Sequence, residues 1–323
     1  MSDIFVFIEH FQGKVSDISY VGLAQAQYIA MALGSKVVAV LLGSKIGSLE
    51  KDLLADEVLV VDHASLANVV YDEYVSILAS MILDKKPGLV IFGDTSVGSD
   101  IAGGLSGRLN ISHVSFCKEI KVESGKLRFV TQICGGKIFA EGAIPEGTSL
   151  VTLLPGKFKV SEGQAKTQPK VTSYPLPAQP KSRIKLKEIV LPSGEDLDIT
   201  KEKLLVAVGR GIENKDNISL LQELADALGG ALCASRPVID QGWLAPSRLV
   251  GKSGKTVKPK IYMALGISGA PEHVEAIGES DMIIAVNTDP NAPIFNIAKY
   301  GTTENLLDLS EELIQSIQVA KGA

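Results

Sequence analysis

Residues 261–273 read Ile-Tyr-Met-Ala-Leu-Gly-Ile-Ser-Gly-Ala-Pro-Glu-His: an apolar run, a glycine turn, then a proline that opens a short helix. Five consecutive apolar residues predict a strand buried on both faces, which is how strands of a parallel sheet read. The glycines let backbone approach a ligand, and a helix start offers unpaired N–H groups to a phosphate. Similar pieces surround this one. Apolar runs at 204–208, 231–234, 282–286 and 306–309 predict further strands, and 217–228 and 311–320 predict helices. The last third of the chain therefore predicts a small doubly wound sheet. In such sheets ligands lie outside the carboxyl ends of the strands, so the residues that follow each strand are where chemistry is expected.

Upstream, short β-rich runs at 4–8, 36–42, 58–61 and 89–92 alternate with helical patterns at 19–33, 70–83 and 99–109, the mark of parallel βα units. The pattern then changes. Runs at 118–122, 127–134 and 137–142, joined by turns at Ser124-Gly125 and Gly135-Gly136, predict antiparallel hairpins. From Lys157 to Pro192 the chain collects Pro169, Pro175, Pro177 and Pro180 among many Lys and Ser residues, which is linker chemistry. The expected fold class is α/β in two domains. Residues 1–190 form an N-terminal parallel βα domain with added antiparallel hairpins that ends in the Pro/Lys-rich linker, and 201–323 form the doubly wound domain.

Bulk composition limits what these pieces can mean. A chain of 323 residues, 46% hydrophobic and 21% charged, buries a proper core. A net charge of -5 gives no footprint for nucleic acid, which needs Lys and Arg in excess on one face. Cys117, Cys134 and Cys233 are odd in number and widely spaced, so they form neither a disulfide framework nor a metal cluster and are expected to be reduced core thiols. Met-Ser-Asp runs straight into the first apolar strand, unlike a signal peptide, and a cytoplasmic address is expected. Residues 18–35 carry no charge, but Ser19, Gln25, Gln27 and helical spacing favour a helix of a folded domain over a membrane span.

The strand ends hold five polar clusters. Gly209-Arg210-Gly211 follows the first strand and is an incomplete dinucleotide fingerprint, since Asn214 stands where a third glycine belongs. Alone, it reads rather as a tight turn with a solvated arginine. Ser235-Arg236 follows the next strand, and a lone Arg there is ordinarily a surface cation. Gly251-Lys252-Ser253-Gly254-Lys255-Thr256 suggests a P-loop. Leu249 occupies the place of the first glycine, however, and a strand follows instead of a helix, so nucleotide hydrolysis is rejected. Gly266 to His273 suits a pyrophosphate, with His273 read equally as a surface histidine. Asn287-Thr288-Asp289-Pro290 offers Asn287 to a sugar or phosphate, and its residues are also plain turn formers.

Together these segments resemble the FAD domain of electron-transfer flavoprotein alpha subunits. The resemblance runs through 208–211, 234–236, 250–255, 266–270 and Ala285-Val286-Asn287-Thr288-Asp289-Pro290-Asn291-Ala292-Pro293-Ile294-Phe295, in order and at family-like spacing. It is looser in the first domain, through Glu9-His10 and Phe92-Gly93-Asp94-Thr95-Ser96. The resemblance implies an electron carrier with FAD bound in 201–323. By resemblance Arg210 is a phosphate-binding arginine, and Ser235 and Arg236 flank the isoalloxazine ring, with Arg236 favouring reduced, anionic flavin. Ser253 then lies near flavin N5 and His273 near the O2 carbonyl. Ser268, Gly269 and Ala270 hold the ribityl and pyrophosphate portion, and Asn287 touches the adenosine side. Val250, Gly251, Lys252, Pro271, Glu272 and Asn305 complete the implied cofactor-binding set. Five positions at three places depart from the family: Lys252-Ser253 replaces Gln-Thr, Pro271-Glu272 replaces Ile-Gln, and Asn305 replaces Asp.

The resemblance also implies a smaller beta subunit that carries AMP or a second FAD, dehydrogenases such as acyl-CoA dehydrogenases as donors, a redox acceptor, and in some members bifurcation of electrons from NADH. Two rival classes remain at this stage. One is a stand-alone adenine-nucleotide-binding protein. The other is a flavin-dependent dehydrogenase, for which the motifs show no substrate base.

Overall fold

The computed structural model describes residues 2–134, 136, 138–155, 158–177, 182, 184–189 and 197–322. Its contacts divide the chain into two compact units, Met1–Ile189 and Val190–Ala323. Gly135 and Lys137 of the second expected hairpin, and Lys157, Pro180 and Pro192 of the expected linker, lie outside the described residues.

In the first unit the elements run β1 (Ile4–Ile8), β2 (His10–Phe11), β3 (Lys14–Val15), α1 (Asp17–Leu33), β4 (Val37–Gly43), β5 (Glu57–Asp62), α2 (Tyr71–Lys85), β6 (Leu89–Gly93), α3 (Ser96–Leu109), β7 (His113–Glu123), β8 (Lys126–Ile133), β9 (Ile138–Ala143), β10 (Ser149–Leu153) and β11 (Lys170–Ser173). Among the described residues they make a nine-stranded sheet ordered β11-β5-β4-β1-β6-β10-β7-β8-β9, plus the small β2-β3 pair. The strands from β11 to β7 are parallel, and the β7-β8 and β8-β9 pairs are antiparallel. Alternation on β1 sets the layers. Ile4, Val6 and Ile8 pack with Leu23, Ala26 and Ile29 of α1, while Phe5 and Phe7 pack with Tyr74, Ile77 and Met81 of α2 and Leu105 of α3. Each such fully buried side chain contributes roughly 1.5–3 kcal/mol, so the apolar runs that predicted strands also hold the sheet together. The uncharged stretch at 18–35 is α1 and its cap, and among the described residues no helix is long and apolar enough to cross a membrane.

Two strands of the nine-stranded sheet escaped the sequence reading. β10 is buried throughout and pairs with both β6 and β7. Its residues sit just after a hairpin region, so nothing local marked them as returning to the parallel layer. β11 lies inside the expected linker, pairs in parallel with β5, and is tied to it by Thr172 and Lys170 on the Glu57 carboxylate. Nearby, the turn Val160–Gly163 rests on α1, where a Cβ on Gly163 would fall 1.8 Å from the Tyr20 carbonyl oxygen. The proline-rich composition describes a chain that cannot form helix, and it still packs as an edge strand.

In the second unit β12 (Leu204–Val208), α4 (Ile218–Leu228), β13 (Ala231–Ala234), α5 (Arg236–Asp240), β14 (Ile261–Leu265), α6 (Pro271–Val274), β15 (Ile283–Val286), β16 (Tyr300–Thr302) and α7 (Leu306–Gly322) follow in order. The strands are all parallel, ordered β13-β12-β14-β15-β16. Leu221 and Leu224 of α4 and Ile314 of α7 cover one face, and loop residues Val250, Val257, Ile267, Ile277 and Ile294 cover the other. The order reverses at β12, so the switch point lies between β12 and β14.

One expected strand is corrected here. The run at 306–309 is the first turn of α7, and the edge strand is β16 instead. Asn305 accepts a hydrogen bond from the Leu307 N–H at 2.8 Å and its carbonyl accepts from Leu309. Leu306, Ser310 and Ile314 are then buried at helical spacing, which a four-residue apolar run could not reveal. The cysteines are free: Cys117 and Cys233 are buried as expected, but Cys134 is exposed at the end of β8 with φ 55, so it is not a core thiol. No cluster able to hold a metal occurs among the described residues.

Candidate functional site

The carboxyl end of the second sheet is built on interlocked glycine turns. The Gly209 N–H donates to the Leu265 carbonyl at 2.9 Å and the Gly211 N–H to the Gly266 carbonyl at 3.1 Å. A Cβ on Gly209 would lie 2.2 Å from the Gly266 oxygen, and Gly266 itself has φ 64, so the turns after β12 and β14 approach this closely only as glycines. Between them Arg210 projects exposed, its side chain without a hydrogen bond or ion pair among the described residues.

After β13 the chain passes Ser235, buried, whose N–H and hydroxyl both donate to the Val208 carbonyl, at 2.9 and 3.4 Å. Arg236 is exposed at the start of α5. Its Nε donates to the Asp240 carboxylate at 3.3 Å and its Nη1 to the Ser253 hydroxyl at 3.3 Å. The sequence reading missed Asp240. An acid four residues after an arginine at a helix start is the available signal.

The loop carrying Ser253 is fixed at both ends. The Val250 N–H donates to Ala234, and the turn Gly251 to Gly254 closes on itself at 2.8 Å, with Gly251 at φ 145. The Lys252 N–H donates to the Glu272 carbonyl at 2.8 Å, joining this loop to α6. Lys255 pairs with Asp198 at 3.3 Å, and a hydrogen bond from Thr200 is the main influence that holds the Asp198 carboxyl below its usual range. Lys255 is thus engaged by Asp198, and Glu272 is exposed on α6.

Ser268, Gly269 and Ala270 form the connection from β14 to α6. Gly269 has φ 86, and a Cβ there would lie 2.4 Å from the Ile294 nitrogen. None of the three N–H groups bonds a backbone carbonyl among the described residues, which leaves three backbone donors unpaired in the loop after β14. Pro271 takes the first position of α6, and His273 is buried. Burial pushes the His273 imidazole down to about 4, so the ring is neutral at physiological pH.

Asn287 sits half-buried after β15. Its Nδ2 donates to the Ile267 carbonyl at 2.9 Å and its Oδ1 accepts from the Asp289 N–H at 3.0 Å, so the amide ties two strand-end loops together. Asn305 stands apart from this group in its bonding and caps α7. The structure thus brings 235–236, 250–253 and 272–273 together through hydrogen bonds, and joins Arg210 to the 266–270 turn through the glycine contacts.

Comparison with known proteins gives this arrangement a family. The sequence model described as "Electron transfer flavoprotein FAD-binding domain" matches residues 198–278, and the one described as "Electron transfer flavoprotein domain" matches 4–179. The chain is 38% identical to Protein FixB of Clostridium saccharobutylicum, covering 96% of this chain and 95% of that one. It is 33% identical to the electron transfer flavoprotein subunit alpha of Thermoanaerobacterium thermosaccharolyticum, with 99% and 98% covered. It is 30% identical to the lactate dehydrogenase (NAD(+),ferredoxin) subunit LctC of Acetobacterium woodii, covering 98% of this chain and 77% of the relative.

Proposed function

The chain belongs to the electron transfer flavoprotein family as an alpha-type subunit, and from that premise we propose that the strand ends within 201–323 hold one FAD for an electron carrier that works beside a smaller beta subunit. The observation that carries this reading is the convergence, over interlocked glycine turns, of the Arg236–Ser253 pair with the free N–H row of 268–270. The donor set fits the cofactor. Unpaired backbone N–H groups and an exposed arginine suit a pyrophosphate, and a cation with an adjacent hydroxyl suits the polar edge of a flavin ring.

FAD supplies the redox chemistry when bound; the protein supplies position and charge. Arg210 and the N–H groups of Ser268, Gly269 and Ala270 hold the phosphates. Arg236 places positive charge beside the ring and favours its reduced, negatively charged state, while Asp240 limits that effect by drawing on the same guanidinium. Ser253 replaces the family's threonine and keeps the hydroxyl that accepts from Arg236. Ser235, Val250, Gly251, Lys252, Pro271, Glu272 and Asn287 shape the walls. Asn305 acts through α7.

Transfer between a dehydrogenase, such as an acyl-CoA dehydrogenase, and a redox acceptor in the cytoplasm is the finer reading. Bifurcation of electrons from NADH rests on the likeness to the lactate dehydrogenase subunit. The test is co-purification with a candidate small subunit. One FAD per chain, lost or shifted in potential by Arg236→Ala, is expected; a colourless complex that takes only adenine nucleotide would overturn the reading.

A further inference from the structure

The loop that carries Ser253 is anchored at its ends and open at its tip. Val250 and Val257 are buried in one apolar face of the second unit, while Lys252, Ser253 and Gly254 are exposed. Bonds from the Gly254 N–H to the Gly251 carbonyl and from the Lys255 N–H to the Leu249 carbonyl, both 2.8 Å, fold the tip back on itself. The turn needs its glycine, since a Cβ on Gly254 would lie 2.5 Å from the Leu249 oxygen. An exposed tip packs against little, so the polar contacts of its side chains decide where the Ser253 hydroxyl stands.

Lys255, two residues beyond Ser253, supplies such a contact. Its Nζ donates to Asp198 Oδ1 at 3.3 Å. Asp198 lies where the described part of the second unit begins, next to Ile199, which is wholly buried in the same apolar face as Val250 and Val257. The Asp198 carboxylate is itself held in place. Oδ1 also accepts from the Thr200 hydroxyl at 2.8 Å and the Thr200 N–H at 3.3 Å, and Oδ2 pairs with Lys201 at 3.3 Å. The Thr200 hydroxyl is the first of the influences that hold this carboxyl well below its usual range, so the group is an anion at neutral pH. Asp198 is thus a fixed negative charge beside a buried anchor, and Lys255 ties it to the loop whose Ser253 hydroxyl accepts from Arg236 Nη1 at 3.3 Å.

We propose that Asp198 and Lys255 are positioning residues: their ion pair holds the 250–255 loop so that Ser253 meets Arg236, and it thereby couples the entry to the second unit to the arginine beside the flavin ring. This rests on the reading of the strand ends as the flavin's site. A partly exposed pair adds little to global stability, so its effect is local to the loop.

The test compares Asp198→Asn with Lys255→Met in the FAD-loaded complex with the small subunit. If the two groups acted on the flavin only as distant charges, losing an anion and losing a cation would shift the potential in opposite directions. Positioning predicts the same direction. Both variants are expected to lower the potential, equally and by less than Arg236→Ala, and the double variant is expected to lower it no further than either alone. Lys255→Arg keeps a cation and is expected to keep the wild-type potential. Hydrogen exchange of residues 249–256 is expected to quicken in Asp198→Asn and Lys255→Met, with the urea midpoint of the second unit unchanged. Opposite shifts, an unchanged potential, or loop exchange as slow as in the wild type overturns the proposal. Flavin counting keeps the two readings apart: full FAD with a loop that does not loosen sinks only the positioning role, and a loop that loosens in a complex without FAD sinks only the site.

Discussion

The two units place opposite chemistry at the same topological point. In the first, the sheet order reverses between β1 and β6, and the space beyond their carboxyl ends is taken by the protein's own carboxylate. Glu9 follows β1 and accepts from the Thr95 hydroxyl at 2.8 Å, while Thr95 caps α3 by accepting from the Gly98 N–H. Added Cβ atoms on Gly93 and Gly98 would lie 3.0 and 2.8 Å from a Glu9 oxygen. In the second, the reversal lies between β12 and β14, and the same space is rimmed by Arg210, Arg236 and open N–H groups. A doubly wound sheet thus offers a site without deciding that it is used. The residue after the first central strand decides, a half-buried acid in one case and a glycine turn in the other.

The largest way to break the contrast is to fill the turn of the second unit. Gly209→Ala forces a Cβ into the Gly266 carbonyl, and overpacking of rigid backbone is expected to cost about 3 kcal/mol or more and to release FAD. Urea unfolding followed by the fluorescence of the one tryptophan, Trp243, reads the second unit directly. A variant as stable and as yellow as the wild type would show that the turns have room to part.

The opposite signs of the two sites are also expected in pH dependence. Burial pushes the Glu9 carboxyl up to about 7 from 4.5, so the native state favours the protonated acid. Stability from this group is complete below 4.5 and is lost as pH rises to about 7. Burial lowers His273 from 6.5 to about 4, so its contribution is complete above 6.5 and is lost as pH falls through about 4. Each slope integrates to about 3 kcal/mol. Glu9→Gln is therefore expected to stabilise the first unit at pH 8 by roughly 2–3 kcal/mol and to leave the second alone. Hydrogen exchange resolved by unit measures both, and a Glu9→Gln gain that persists below pH 4.5 would refute the burial account.

A smaller effect is expected at the exposed cation. Arg236→Ala leaves the fold intact and lowers the flavin potential by on the order of tens of millivolts, a modest shift because water screens the guanidinium and Asp240 already offsets it. Spectroelectrochemistry of the loaded complex checks this, and Asp240→Asn should shift the potential the other way. Smallest is Asn305→Ala, which removes the α7 cap for about 1 kcal/mol and changes FAD content little. Flavin loss in that variant would place Asn305 in the site itself.

The strands that carry continuous apolar runs were readable within a residue or two, at 4–8, 204–208, 231–234 and 261–265, because burial on both faces leaves no polar position to confuse the pattern. β11 was hidden, since an edge strand needs no apolar run, and the start of α7 was mistaken because four residues do not show a period. The polar clusters after the strands were visible as sequence, and their alternatives stayed open. Taken by itself Arg236 reads as a surface cation, and only the family resemblance singles it out in the sequence; in the fold Ser253, seventeen residues on, meets it.

The sequence alone determined which segments become strands, where glycine turns follow them, and through those turns the family. These depend on local periodicity and on residue types that tolerate positive φ. Only the tertiary structure decided which polar groups meet. The hydroxyl of Tyr262 and the ring of His273 come from β14 and α6 and meet at 2.8 Å once burial excludes water and polar groups must find partners inside the protein. The same holds for Glu9 and Thr95, separated by 86 positions in the chain, whose contact places a carboxylate in the first switch point. Spacing along a sequence carries no information about such meetings, because sheet order is a property of the folded chain.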